Sequence, residues 1–162
     1  MKTVTSAKLS HAKPLPSSFR DPAGFLFTRE KTLFRQINKS GSLDYSLLME
    51  SGLYQKLEGL GYLVPHEEVA IELKHTDAAT TIIRPQKIAF ISYPYEWSFS
   101  QLKDAALLTL EITLIALEHG MILKDASAYN IQFHKGKPIF IDTGSFETYQ
   151  HETPWAAYHQ FC

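Results

Sequence analysis

Residues 119–147 read HGMILKDASAYNIQFHKGKPIFIDTGSFE, and two short apolar runs inside that stretch decide the fold. Ile131-Gln132-Phe133 and Pro138-Ile139-Phe140-Ile141 flank the polar His134-Lys135-Gly136-Lys137, the composition of a turn that closes a hairpin. Closing it brings three polar residues to one end: Asp125 and Asn130 from the loop entering the first strand, and Asp142 leaving the second. A carboxylate, an amide oxygen and a second carboxylate are hard oxygen ligands, suited to a magnesium ion that carries nucleotide phosphates.

The segment feeding that loop is the clearest helix in the chain. Ser98 with Gln101 three residues on is a capping box, and Gly120 stands where a helix is closed by glycine. Between them Asp104, Glu111 and Glu118 recur every seven residues, a narrow polar stripe on an apolar cylinder, so a helix over 98–119 is expected to be buried on most sides. His119 falls at its end, where the helix dipole favours a positive side chain and capping is its expected role.

Upstream, residues 24–27 and 32–37 read as strands joined at Arg29-Glu30-Lys31, with Arg35 projecting from the second. Leu43, Leu47, Tyr54 and Leu57 have helical spacing; Glu50 lies among them, and Ser51-Gly52 is an expected break. Residues 65–81 hold His66, Glu67, Glu68, Glu72, His75 and Asp77, but in no metal-ligand spacing, so a solvated loop and strand edge is expected. Residues 82–83 and 87–93 are strand-like around a turn at Pro85-Gln86, and Tyr93, Tyr95 and Trp97 are expected to fill core or line a cleft. Near the end, Thr153-Pro154 is a helix start that puts Trp155, Tyr158 and Phe161 near one face.

Asp125-x-x-x-x-Asn130, a strand, a turn, a second strand and Asp142-Thr143-Gly144 resemble the catalytic loop and metal-binding D-F-G segment of protein-kinase-like folds. The resemblance implies an α+β fold: a small antiparallel N-lobe sheet plus helix over about 18–96, then a truncated C-lobe over 97–162 with a buried helix and the catalytic-loop hairpin. It makes Asp125 the catalytic base and Asn130 and Asp142 the metal ligands. Arg35, Glu50 and Lys124 become nucleotide-binding residues, with Mg and ATP as cofactors. The chain departs from the pattern at Leu123-Lys124, which replaces His-Arg, at Ser127, which stands for lysine, and at Thr143, which stands for phenylalanine. Gly24 is alone where G-x-G-x-x-G would fall.

A second resemblance rests on SFRDPAGFLF (18–27), SYPYEWSFSQLKDAALLTL (92–110), LKDASAYNIQF (123–133), FIDTGSFE (140–147) and PWAAYHQFC (154–162). These strings are similar to the N-terminal region of bacterial SAM-dependent methyltransferases related to a host-specific nodulation protein. That likeness implies a fragment preceding a methyltransferase domain; the aromatic stripe of the C-terminal helix is expected to meet that domain or a second copy of the chain. No glycine-rich strand-to-helix turn for SAM is present.

Composition narrows the classes. The chain has 162 residues, 44% hydrophobic and 20% charged, with net charge −1, which suits one globular domain and gives no broad basic surface for nucleic acid or membrane. Its one cysteine, Cys162, excludes an internal disulfide and fits the cytoplasm. Residues 1–17 lack an apolar core segment and read as a flexible leader, and residues 105–117 are too short and too polar to span a bilayer. Two other readings stand beside the nucleotide module. One is a non-catalytic accessory or docking domain, in which Asp125 and Asn130 only structure their loop. The other is a D-T-G-S aspartic protease built on Asp142, which would need a second aspartate.

Overall fold

The computed structural model describes residues 13–15, 18, 21–151, 154–155 and 157–161. It is a mixed α+β structure whose first half is a five-stranded antiparallel sheet, ordered β1 (Lys13–Pro14), β2 (Gly24–Arg29), β3 (Thr32–Asn38), β5 (Ala79–Pro85), β4 (His66–Val69). The β2–β3 turn is Glu30-Lys31, both at positive φ, the geometry a two-residue hairpin demands. β1 lies inside the stretch read as leader, pairing Lys13 with Thr28 and Pro14 with Phe27. A two-residue edge strand carrying a proline gives no sequence periodicity to read. Leu15, also in that stretch, donates its N–H to the Leu26 carbonyl at 2.9 Å, and the other leader residues lie outside the described residues.

Strand alternation separates two faces. Phe25, Phe27, Phe34 and Ile82 pack on one side. The Gln36 side chain, fully buried, donates to Asn38 Oδ1 and Thr76 Oγ1 and accepts from the His75 and Thr76 amides, fastening the β4–β5 connection over that side. The other side carries Leu26 and its register partner Arg35, which in turn pairs with Ile83. Helices α1 (Ser42–Glu50) and α2 (Leu53–Gly59) follow β3, split at Gly52, whose φ of 81° ends α1 as expected.

Helix α3 (Phe99–Glu118) begins with the Ser98–Gln101 capping box, and His119 at its end contacts the Ile115 carbonyl through Nδ1 at 2.8 Å. Its Ala105, Leu108, Ile112 and Ala116 enter the main core with Leu48, Leu53, Leu57, Met121, Leu123, Ile131 and Phe140. The helix is buried on one face only, not on most. Leu107, Leu110, Leu114 and Leu117 are 37–65% exposed, because α2, residues 121–123 and the hairpin cover a single side of it. After it come β6 (Met121–Leu123), β7 (Ile131–His134), β8 (Lys137–Phe140) and β9 (Phe146–Thr148). β7 and β8 form the expected hairpin, turning at Lys135-Gly136 with φ of 52° and 79°, while β6 pairs with β9.

Two expected elements differ. Residues 87–93 form no strand; their backbone is held by a side chain, as shown below, and Pro94 follows. The last helix is only Tyr158–Phe161 and does not start at Pro154, because the Trp155 indole N–H is anchored on the Leu123 carbonyl at 2.9 Å. Thr153 lies outside the described residues. Trp155 and Phe161 pack partly buried against the main core, and Tyr158 is exposed.

Candidate functional site

Two crossing backbone bonds build the site. The Lys124 N–H donates to the Ser145 carbonyl at 2.9 Å and the Ile141 N–H donates to the Asn130 carbonyl at 2.8 Å, so the loop after β6 and the segment after β8 lie side by side. The loop itself is set by short-range turns: the Asp125 carboxylate accepts the Ser127 N–H at 3.0 Å, and the Ser127 hydroxyl accepts the Tyr129 N–H at 3.3 Å. Residues from the C-terminal segment hold its shoulders, since Trp155 binds the Leu123 carbonyl and Gln160 Oε1 accepts the Ala126 N–H at 2.8 Å.

Asp125, Asn130, Asp142 and Arg35 all line one cleft of about 660 Å³. Its remaining walls come from Ser18, Asp21, Gly24 and Leu26 at the sheet, Ile91 and Tyr93 from residues 86–98, and Ser127, Tyr129, Gln132 and Ile141. The volume falls in the range of ordinary ligand sites, and the lining mixes a few apolar side chains with a larger number of polar ones. Three of the four polar residues are joined in a chain. Asn130 Nδ2 donates to Ser145 Oγ at 3.3 Å, Ser145 Oγ donates to Asp142 Oδ2 at 2.7 Å, and Arg35 Nη2 is ion-paired to Asp142 Oδ1. Asp142 Oδ1 also accepts the Gly144 N–H at 3.2 Å.

The donor set suits a magnesium ion carried by phosphates. Among the described residues Asn130 Oδ1 and the second oxygen of Asp125 have no protein partner, and the three bonds on Asp142 leave its carboxylate part of its accepting capacity. Two carboxylates and one amide are too few for a closed protein cage but match magnesium bound mainly through substrate oxygens.

The other two residues stand apart. Glu50 is exposed at the last position of α1, and the ion pair of Arg35 is with Asp142. Lys124 lines two smaller grooves beside the cleft, one of them shared with Arg35 and Gly144. Sequence reasoning did not single out Ser145 or Gly144. Ser145 bridges Asn130 and Asp142, and a β-carbon on Gly144 would collide with the Arg35 guanidinium. The one available signal was the D-T-G-S spacing itself, which allows an aspartate to cap its own turn.

A second polar cluster sits on the far edge of the sheet. The Tyr45 hydroxyl donates to Glu68 Oε1 at 2.9 Å and so accepts from His66 Nε2 at 3.1 Å, leaving His66 Nδ1 buried without a partner among the described residues. Burial moves the His66 pKa down from 6.5 to about 4, against an opposing pull from the Glu68 carboxylate. Burial, reinforced by the bond to Glu68, pushes the Tyr45 hydroxyl well up.

Set against known proteins, the chain aligns over its whole length with one curated relative: 32% of residues are identical over 168 aligned positions. That relative is the nodulation protein NoeA of Rhizobium meliloti (strain 1021). The chain is similar to 35% of NoeA, so it spans about a third of that protein's length. No family model matches the chain. Among the described residues no helix is long and apolar enough to cross a membrane.

Proposed function

We propose that this chain is a kinase-like module that binds a magnesium nucleotide, with Asp125 placed to accept the proton of an incoming hydroxyl in phosphoryl transfer. The observation that carries the reading is the meeting of Asp125, Asn130, Asp142 and Arg35, drawn from three separate parts of the chain, on one cleft. The order of elements supports it too: an antiparallel sheet with a helix after β3, a long capped helix, a loop, and a hairpin leading to Asp142. Arg35 lies on β3, the strand whose cation in protein kinases meets the phosphates.

In this reading Asn130 and Asp142 hold the ion, Arg35 both orients Asp142 and faces the phosphates, and Ser145 fixes the relative position of the two ligands. When bound, magnesium neutralises phosphate charge. The arginine fork grips oxygens in a fixed geometry that lysine lacks, so Arg35 acts as a positioning group as well as a charge. In this reading the module works in the cytoplasm, as its single cysteine suggests, beside a SAM-dependent methyltransferase, as the second resemblance implies. A second reading, a docking domain without chemistry, is favoured by the exposed Leu107, Leu110, Leu114 and Leu117 on α3, since contiguous apolar surface marks an interaction site.

Calorimetric titration separates the two. Mg-ATP is expected to bind wild type, and chelating the metal or introducing Asp142→Asn is expected to weaken binding at least tenfold in protein shown by circular dichroism to be folded. Absence of binding at millimolar nucleotide, or binding indifferent to magnesium, would overturn the nucleotide reading.

A further inference from the structure

We infer that the end of the cleft bordered by residues 86–98 receives a planar ring by its faces and not by its edge, so that a nucleotide is held there with little discrimination between bases. The inference rests on the magnesium-nucleotide reading and concerns a different part of the same cleft. Gln132, 3% exposed on β7, lays its amide along the backbone of Ser92: Oε1 accepts the Ser92 N–H at 2.9 Å and Nε2 donates to the Ser92 carbonyl at 3.1 Å. The next residue is closed as well. The Tyr93 N–H donates to Glu96 Oε2 at 2.7 Å, and the Tyr93 carbonyl accepts the Glu96 N–H at 2.8 Å. The Ser92 hydroxyl takes the Trp97 indole N–H at 2.8 Å, and Trp97 meets Phe133 edge-on at 5.2 Å.

The backbone N–H donors of Ser92 and Tyr93 are therefore engaged internally. What Leu26, Ile91, Tyr93, Tyr129 and Ile141 offer beside them is mostly surface for the face of a ring. The chemical consequence is a matter of selectivity. A site that hydrogen-bonds the edge of its ligand rejects analogues strongly, because a mismatch leaves buried polar groups unpaired. Stacking tolerates any base, since every base has a π-face. Gln132 is thus assigned as a specificity-determining residue that works by occupying the polar edge a base would otherwise read.

The test is titration of the full chain with Mg-ATP, Mg-GTP, Mg-CTP and magnesium tripolyphosphate. Nucleotide affinities spread over less than tenfold, all at least tenfold tighter than tripolyphosphate, are expected. A tenfold or greater preference for one base would overturn this inference and leave the nucleotide reading intact. Tripolyphosphate binding as tightly as ATP would overturn it equally, since the ring would then contribute nothing. No binding of any nucleotide would sink both. Gln132→Leu supplies an independent check: freeing Ser92 should widen the spread between bases, and an unchanged spread in a folded variant contradicts the assignment.

Discussion

Replacing Arg35 by methionine keeps an apolar stem and removes the guanidinium, leaving Asp142 as a charge without its partner. Removing one member of a buried ion pair costs about 3–5 kcal/mol. Here the Arg35 side chain is 9% exposed and that of Asp142 20%, and Asp142 keeps its bonds to Ser145 and Gly144. Water and those two donors recover part of the loss, so about 2–3 kcal/mol is expected for Arg35→Met. In a domain of this size each kcal/mol moves Tm by about 2–4 °C, which puts the drop at roughly 4–12 °C. Asp142→Asn should destabilise by a similar mechanism, now stranding the guanidinium. The double variant should cost clearly less than the sum, because neither charge remains to be stranded. Chemical denaturation of the four proteins measures the cycle. Additivity within about 0.5 kcal/mol would refute the claim that the pair joins the sheet to the site.

Gly144→Ala forces its new methyl against the guanidinium, so it should lower stability by roughly 1–3 kcal/mol in wild type and by much less in the Arg35→Met background, a difference that thermal unfolding of both pairs reads directly. The pH dependence of stability carries the signature of His66. Its folded pKa lies below its unfolded one, so the unfolded chain takes up a proton first; stability is full above pH 6.5 and declines as pH falls toward about 4. His66→Gln should flatten that stretch of the curve relative to wild type, and parallel curves would show that His66 is not the group responsible.

Features encoded by neighbours in sequence were legible, and those encoded across the fold were not. The 98–119 helix is written in Ser98 and Gln101, three residues apart, and the 131–141 hairpin in two apolar runs about a glycine; both stand. The three oxygen-bearing residues of the site were read from the same local stretch. The partner of Arg35 could not be, because Asp142 lies 107 positions away. Residues 87–93 look like a strand because they are apolar, yet whether they join a sheet depends on what stands beside them, and what stands there is the Gln132 side chain. The α3 leucines mislead for a related reason. Hydrophobicity around the whole cylinder says that every face can be covered, while only the packed structure says which face is.

The hydrogen bonds of Trp155 and Gln160 to Leu123 and Ala126 straddle the residue read as the base. The final turn of the described chain therefore acts as a splint on the Asp125 loop. Ligations, tags or cleavages made a few residues beyond Ala157 are mechanically close to the cleft although distant from it in sequence. A version that ends before Gln160 loses the bond to Ala126, and one that ends before Trp155 loses the bond to Leu123 as well.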